Sequence, residues 1–584
     1  MQEWFRELNR YNELSERVAH QFVLWGNIFD YQKMPTGSEK EYGDLIQFMI
    51  KSFEKDDHIV MFYSTSAGLE FSKQTKTLKK ILNKHLGRAT YEHMLSNKTP
   101  QAILPFLEKI LTSKDYTEPK EGEAKKLIRK TLIIEYAEDM IPQVDNAMAN
   151  PEHRFNIQTL DRWSRNLKMR DAGSTVVINT PNLYKLATNF RSNYTATVSI
   201  RLKKPDAEEK KKYLSQLISK HGISLKNGLT VNNVAMLTNG LSLSQLARIF
   251  LFAQHDGDEI NLETLRESTQ NIIESEVGHL FKIKLPRLTF KDYGGRPEVK
   301  EYFNEVYDDI KNGILRRVPM GILMPGPPGT GKTYFCECLA GEWGIIFIEF
   351  KNIRSKYLGE SEAQLQEALA IIEDLAPCVV IEDEADQSEP ARGSGSSEGD
   401  GGVTSRIREM KMKFFGDTSH RGKIIRIMMT NRMDLIDSAF KRGGRTDIII
   451  PFTPSRDTEE WRILFEVNYK IKEIPTEITD FSKLAIQVID KECFTPAELA
   501  TVVLESDRIA GRAKADFVAI EHLEQALENW RTGVDPYDFH FQTVMSLDNA
   551  HPDLKPKGSD EVYEISQARL TELKQDRMMS RLEA

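Results

Sequence analysis

At 584 residues the chain is too long for one hydrophobic core, and 40% hydrophobic with 28% charged residues is the make-up of a globular protein of several domains. Its formal charge of −8, from 79 basic and 87 acidic residues, is spread along the chain, which argues against nucleic acid as the main partner. Four scattered cysteines exclude a disulfide framework or zinc knuckle, and no apolar run nears the ~20 residues that span a bilayer. The expected setting is cytoplasmic, with no membrane partner.

The chain opens on MQEWFRELNRYNELSERV, a charged amphipathic helix within 1–19 that has no signal-peptide apolar stretch. FVLWGNIFDY then reads as a short strand and turn. HIVMFYSTSAGLEF, from His58, reads as a strand whose loop STSAG has neither a lysine nor a glycine-rich cradle. LIIEYAED (Leu132 to Asp139) and TVVINTPN are further apolar strands, followed by NFRSNY and GLSLSQL (Gly240 to Leu246). The basic stretches Lys125 to Lys130 and Lys203 to Lys212 are broken by acidic or apolar residues and read as solvated helix faces.

The second half carries the strongest signal. GILM (Gly321 to Met324) is an apolar strand feeding GPPGTGKT, which runs through Gly326, Pro327, Pro328, Gly329, Thr330, Gly331, Lys332 and Thr333. The glycines let backbone N–H groups wrap phosphates, Lys332 reaches the β/γ-phosphates, and the Thr333 hydroxyl helps hold Mg²⁺. A helix starting in TYFCECLAGEW points its N-terminus at the anion. About fifty residues on, PCVVIEDEAD (Pro377 to Asp386) is a buried strand ending in carboxylates. Asp383 is placed to hold the Mg²⁺ shell and Glu384 to polarise the attacking water. Glu382, where an apolar residue is usual, needs a partner if it is buried.

KIIRIMMTNRMD ends a further strand in Thr430 and Asn431, whose polar side chains suit the γ-phosphate or the lytic water. Arg442 and Arg445, in AFKRGGRTD, read in isolation as partners in surface salt bridges, and the order of the motifs favours a second reading, in which they reach a neighbouring subunit's γ-phosphate. From Gly533 the chain reads as irregular (PYDFHFQTVMSLDNAHPDLKPKG) and then as a charged amphipathic helix that Ser559, Asp560 and Glu561 can cap.

Residues from about Pro286 to Trp530 resemble the AAA ATPases of the remodelling clade. The resemblance rests on FKDYGG (Phe290 to Gly295), GPPGTGKT, SKYLGESE (Ser355 to Glu362), VVIEDEAD, MMTNRMDLIDSAF, the Arg442/Arg445 pair and FTPAEL (Phe494 to Leu499). It implies an α/β core with a small helical lid, ATP and Mg²⁺ bound between subunits, and a homo-oligomeric ring, usually a hexamer. It also implies that Asp292 and Gly294 lie near the adenine. Lys356, Tyr357 and Leu358 would form the client-gripping pore loop, and Gln387 to Gly402, at the place of a second one, reads either as that loop or as a surface insertion without client contact. Gly443, Thr446 and Pro496 depart from the family pattern.

The first half shows the same succession of parts without a phosphate-binding loop. LIIEYAED lays over VVIEDEAD without a gap, setting Tyr136 on Asp383 and Ala137 on Glu384, and Arg191 falls on Arg442. In that overlay the strand from His58 takes the place of the P-loop strand.

The expected fold class is therefore α/β, with two P-loop-type cores each followed by a small helical lid, the first degenerate. The expected division is an N-terminal helix over 1–19, the degenerate domain over 20–275, the ATPase core over 286–455, its lid over 456–532 and a tail over 533–584. The expected activity is ATP-driven remodelling of a protein client by threading. The competing expectation is a nucleotide-dependent assembly scaffold. An attached zinc protease is excluded, since no two of the 12 histidines are spaced as in HExxH.

Overall fold

The computed structural model describes residues 2–13, 19–53, 57–73, 76–87, 96–117, 124–143, 150–191, 196–223, 225, 229–256, 260–278, 280–284, 288–350, 360–388, 403–436 and 444–583. The chain divides into two compact units, Met1–Ala235 with Gly240–Ile260, and Met236–Asn239 with Asn261–Ala584.

The first unit is built on β1 (Gln21–Gly26), β4 (His58–Ser64), β5 (Gly68–Phe71), β6 (Arg129–Ile134), β7 (Ser174–Thr180) and β8 (Thr197–Leu202), with a small ribbon of β2 (Gln32–Lys33) and β3 (Tyr42–Gly43) beside them. Its sheet runs β5-β4-β6-β7-β1-β8, parallel except for the edge strand β5. Strands buried on both faces need apolar residues throughout, which is why LIIE and TVVIN show little alternation. Leu132, Ile134, Val176 and Ile178 pack on one face under α3 (Lys76–Leu86) and α4 (Pro100–Thr112). Ile133, Val177, Phe22 and Leu24 pack on the other, under α1 (Glu3–Glu13) and α2 (Leu45–Phe53). Trp4, Phe5 and Leu8 of α1 belong to that core.

Two helices flanking β6 and β7, α5 (Ala137–Met140) and α6 (Pro151–Ser164), complete the core layer, and α7 (Ala207–His221) and α8 (Leu243–Asp256) form a helical pair after β8. The basic stretches differ from their reading as solvated faces. Lys130 lies in β6 with no exposure, and its ammonium meets Asp115 at 3.0 Å. Lys210, in α7, is equally buried. In each stretch one lysine falls on an inward position of its element, which charge content alone does not reveal.

The second unit repeats the plan. β9 (Phe281–Lys284), β10 (Gly321–Pro325), β11 (Ile346–Phe350), β12 (Cys378–Glu382), β13 (Ile424–Thr430) and β14 (Ile448–Ile449) run β14-β10-β13-β12-β11-β9, parallel except for the edge strand β9. Around them stand α9 (Leu262–Val277), α10 (Pro297–Lys311), α11 (Lys332–Trp343), α12 (Glu360–Leu375), α13 (Ala385–Ser388) and α14 (Val403–Phe415). A four-helix lid with its own core follows: α15 (Thr458–Ile471), α16 (Ser482–Ile489), α17 (Pro496–Arg512) and α18 (Ile520–Asn529). Residues read from sequence as irregular form α19 (Pro536–Asp548), capped by Asp535 and started by Pro536. The final helix, α20 (Ser559–Glu583), packs on it.

Strand by strand, β8-β1-β7-β6-β4-β5 matches β14-β10-β13-β12-β11-β9. The counterpart of the P-loop strand β10 is therefore β1, and the strand from His58, β4, takes the place of β11. This corrects the sequence overlay, and FVLWG is the strand that it left without a role. Sheet neighbours decide such an equivalence, and sequence intervals do not carry them.

Candidate functional site

In the second unit, Gly326 closes β10 where the chain passes the edge of the sheet. A Cβ there would stand 1.8 Å from the Phe452 carbonyl oxygen, so only glycine fits. The loop then turns through Pro327 and Pro328, and Thr330 donates its hydroxyl to the Pro327 carbonyl at 2.9 Å. Gly331 takes φ 87° immediately before α11, a conformation that L side chains rarely adopt. Lys332 is buried, and its ammonium donates to the carbonyls of Gly326 and Pro327, both at 2.9 Å. Burial pulls its pKa down to about 8 against the opposing pull of Asp383 and Asp386.

The Thr333 hydroxyl donates to Asp383 Oδ2 at 3.1 Å. A hydroxyl and a carboxylate converging beside a phosphate loop form the hard-oxygen set that Mg²⁺ takes, with the remaining ligands left to phosphate and water. Asp383 Oδ1 accepts the Glu384 N–H at 2.9 Å, and Glu384 is exposed with φ 50°. On the adjacent strand Thr430 donates to Asp386 at 2.7 Å and accepts the Arg432 N–H at 2.9 Å. Asn431, half-buried, sits between them in sequence at the end of β13.

The lid reaches the loop at Gly329, where the Ala497 N–H at the start of α17 donates to the Gly329 carbonyl at 3.1 Å. Pro496 occupies the first helical position and Thr495 caps it. Proline has no N–H to lose there, so this departure from the family pattern fits the helix. Gly294 packs against Leu464 of α15, and the Tyr293 ring lies beside Gly331. Asp292 is close by, but its carboxylate accepts the Thr289 N–H and hydroxyl at 2.8 and 3.2 Å and closes its own turn.

Arg445 packs its backbone against Gly321, at the end of β10 away from the loop. A strand of five residues spans roughly 16 Å, so Arg445 stands well away from its own subunit's phosphate loop. Arg442, the segment Lys356, Tyr357 and Leu358, and residues 389–402 lie outside the described residues.

Arg426, Lys411 and Gln542 complete the site, and none of the three was singled out from the sequence. Glu382 is buried, and its partners are Arg426 at 2.5 Å and Lys411 at 3.4 Å. Burial alone would raise its pKa, but the two cations and their hydrogen bonds outweigh it and hold the carboxyl below its ordinary value. From α19, Gln542 accepts the Met433 N–H at 3.0 Å and donates to Asp434 at 2.7 Å, while Asp434 receives Arg432 at 2.9 and 3.1 Å. The Asp535-Pro536 pair was the one sequence signal for that helix.

In the first unit the equivalent positions carry different chemistry. β6 pairs Ile134 with Ile178, and β12 pairs Glu382 with Met428, each two positions before the strand-ending Thr180 or Thr430. Tyr136 and Glu384 also share the left-handed turn that opens a short helix. The gapless overlay is thus one residue out: Glu135 stands at the position of Asp383 and Tyr136 at that of Glu384. Gly26 keeps the close approach of Gly326, since a Cβ would meet the Leu202 carbonyl oxygen at 2.7 Å.

Beyond Gly26 the loop bears Asp30. Its buried carboxylate accepts the N–H groups of Leu243 and Ser244 at 3.0 and 2.9 Å, at the start of α8. It also accepts the Tyr31 N–H and the Asn27 side chain, both at 2.8 Å. Asp44 caps the start of α2 through the Gln47 N–H at 2.7 Å. Phe29 and Tyr136, 61% and 46% exposed, face each other with ring centroids 6.0 Å apart. Arg191 donates to the Leu186 carbonyl at 2.7 Å and to that of Tyr184, both in its own preceding turn.

Residues 1–201 match the family described as an AAA+ chaperone N-terminal Rossmann-like domain, and 208–278 the AAA+ chaperone second helical domain. Residues 322–454 match the ATPase family associated with various cellular activities (AAA). Among curated proteins, a "Cell division cycle protein 48 homolog" of Archaeoglobus fulgidus is 25% identical over 77% of this chain and 67% of its own. "Peroxisomal ATPase PEX6" of Dictyostelium discoideum is 25% identical over 57% of this chain and 31% of its own. An "ATP-dependent zinc metalloprotease FtsH" of Thermotoga maritima is 32% identical over 41% of this chain and 40% of its own. Apart from the first, the chain thus spans less than half the length of these relatives.

Proposed function

From the premise that this chain is a tandem-type AAA ATPase, we propose that it hydrolyses ATP at a single site per chain and remodels a protein client as a ring-shaped homo-oligomer. In this reading residues 20–275 form a nucleotide-free first module, 286–455 the motor core and 456–532 its lid. The observation that carries it is the convergence of Thr333 and Asp383 beside the phosphate loop, with Arg445 at the opposite end of β10. A site whose own arginine stands that far off is complete only when a neighbouring subunit supplies one.

Each residue of the site has a defined task. The amides of Gly329 to Thr333 and the Lys332 ammonium bind phosphate oxygens. Thr333 and Asp383 would hold Mg²⁺, which neutralises phosphate charge when bound. Glu384 accepts a proton from water as its oxygen attacks the γ-phosphorus, and the bond to the β-phosphate oxygen breaks to give ADP and phosphate. Asn431 orients that water, and Arg442 and Arg445 of a neighbour stabilise the transferred charge.

Loss of nucleotide binding in the first module follows from its carboxylates. Asp30 and Asp44 occupy two helix N-termini, where their charge repels phosphate and satisfies the amides that would bind it. Threading rests on SKYLGES, with Tyr357 as the gripping side chain: an aromatic offers large apolar contact without reading sequence.

The test is a native mass measurement on Glu384→Gln with and without ATP. A closed oligomer with ATP is expected, and a monomer in both states overturns the ring and the trans arginines together. Tyr357→Ala should keep basal ATPase and lose remodelling of an unfolded test protein such as casein. Equal remodelling would favour the scaffold reading.

A further inference from the structure

Glu382, Arg426 and Lys411 place three charges where the sheet meets α14. Glu382 ends β12, one residue before Asp383 and two before Glu384. Arg426 lies in β13, which ends at Thr430, and its guanidinium reaches Glu382 at 2.5 Å while lying over the Phe415 ring at 4.6 Å. Lys411, from the middle of α14, reaches Glu382 at 3.4 Å and stands 5.0 Å from the centre of the Phe350 ring.

The position of these contacts along the chain gives them meaning. Phe350 is the last residue of β11, immediately before 351–359, the segment carrying Tyr357. α14 begins at Val403, immediately after 389–402. One ammonium therefore touches both the strand that presents the hydrolytic carboxylates and the root of the first pore segment, from the helix that roots the second. A salt bridge needing only stability could be replaced by apolar residues at little cost. This one joins three elements that end in functional segments.

We propose that Glu382, Lys411 and Arg426 act as positioning residues that couple the nucleotide site to the two pore segments, with Lys411 as the link between them. The proposal rests on the pore-loop reading above. Lys411→Met leaves the Glu382–Arg426 pair, one acid and one base, so the buried carboxylate keeps a partner. ATP binding then no longer alters α14 or the end of β11.

The experiment is hydrogen exchange of residues 346–350 and 403–415 in Glu384→Gln, with and without ATP. An ATP-dependent difference is expected in both segments. Adding Lys411→Met should abolish that difference while a fluorescent ATP analogue binds as tightly as before, and Lys411→Arg should restore it. The apolar triple Glu382→Ile, Arg426→Leu, Lys411→Met should melt near the parent temperature and show no difference. Persistence of the difference in Lys411→Met, or its absence from the parent, overturns the proposal. Tyr357→Ala, assayed for casein-stimulated ATPase, reports on the pore reading separately: stimulation equal to wild type would sink that reading without touching the exchange result.

Discussion

Tyr136 and Glu384 occupy the same place in two copies of one architecture. Each follows the sheet's central parallel strand, with φ 53° and 50°, and each opens a four-residue helix. A bend that re-aims the chain at the strand end has been kept in both units, while the group it presents differs. In one it is a carboxylate that can take a proton from water, and in the other a phenol packed against Phe29.

It follows that Glu384→Gln should lower the hydrolysis rate by about 10²–10⁴-fold, the range of a general base, with ATP binding retained. Tyr136→Glu added to Lys332→Ala should yield no ATPase, because the helix after the first unit's loop opens on Leu45 where Lys332 opens its counterpart, and that loop carries Asp30. Phosphate release measured under saturating ATP checks both.

Asp30→Ala should loosen the first unit without removing hydrolysis at the second. Loss of charge-assisted hydrogen bonds to two helix amides costs about 2–3 kcal/mol, and the amides of Leu243 and Ser244 should exchange faster. Thermal unfolding and site-resolved hydrogen exchange read the two effects.

Asp115 anchors a second buried charge in that unit. Burial favours its neutral form, but hydrogen bonds from His85, Ser113 and Lys130 prevail and hold its pKa well below the ordinary carboxylate value. A depressed carboxylate pKa contributes stability that is complete above its unfolded value, about 4, and is lost as pH falls below it. Asp115→Asn should cost about 3 kcal/mol at neutral pH by leaving Lys130 buried with its charge uncompensated, and should flatten the acid limb of the stability curve. Urea unfolding across pH 3–7 tests it.

Gln542→Ala should slow turnover more than it weakens binding. The side chain fixes the turn at Met433 and Asp434, two and three residues beyond Asn431, so its loss shifts the group that we propose orients water. A fall in kcat of about tenfold with KM nearly unchanged is expected from steady-state kinetics.

Much of this site was legible in the sequence because its signals are local. A glycine-rich loop between strand and helix, or carboxylates ending an apolar strand, needs only neighbours along the chain. The partners of Glu382 were not legible, since Arg426 and Lys411 arrive from other elements and carry no motif, although the need for a partner was plain. The counterpart of the P-loop strand was mistaken for the same reason: β1 is identified by lying between β7 and β8. The one-residue error at Tyr136 came from aligning letters where the turn geometry sets the register. The α19 helix was missed although Asp535-Pro536 announced it, because the run after it lacks a clean apolar period.

The central claim, one working site in a chain with two ATPase-like units, is tested most directly by nucleotide stoichiometry. Equilibrium dialysis of radiolabelled ATP against Glu384→Gln should give one nucleotide per chain, falling to none when Lys332→Ala is added. Two nucleotides per chain, or binding that survives Lys332→Ala, would contradict it.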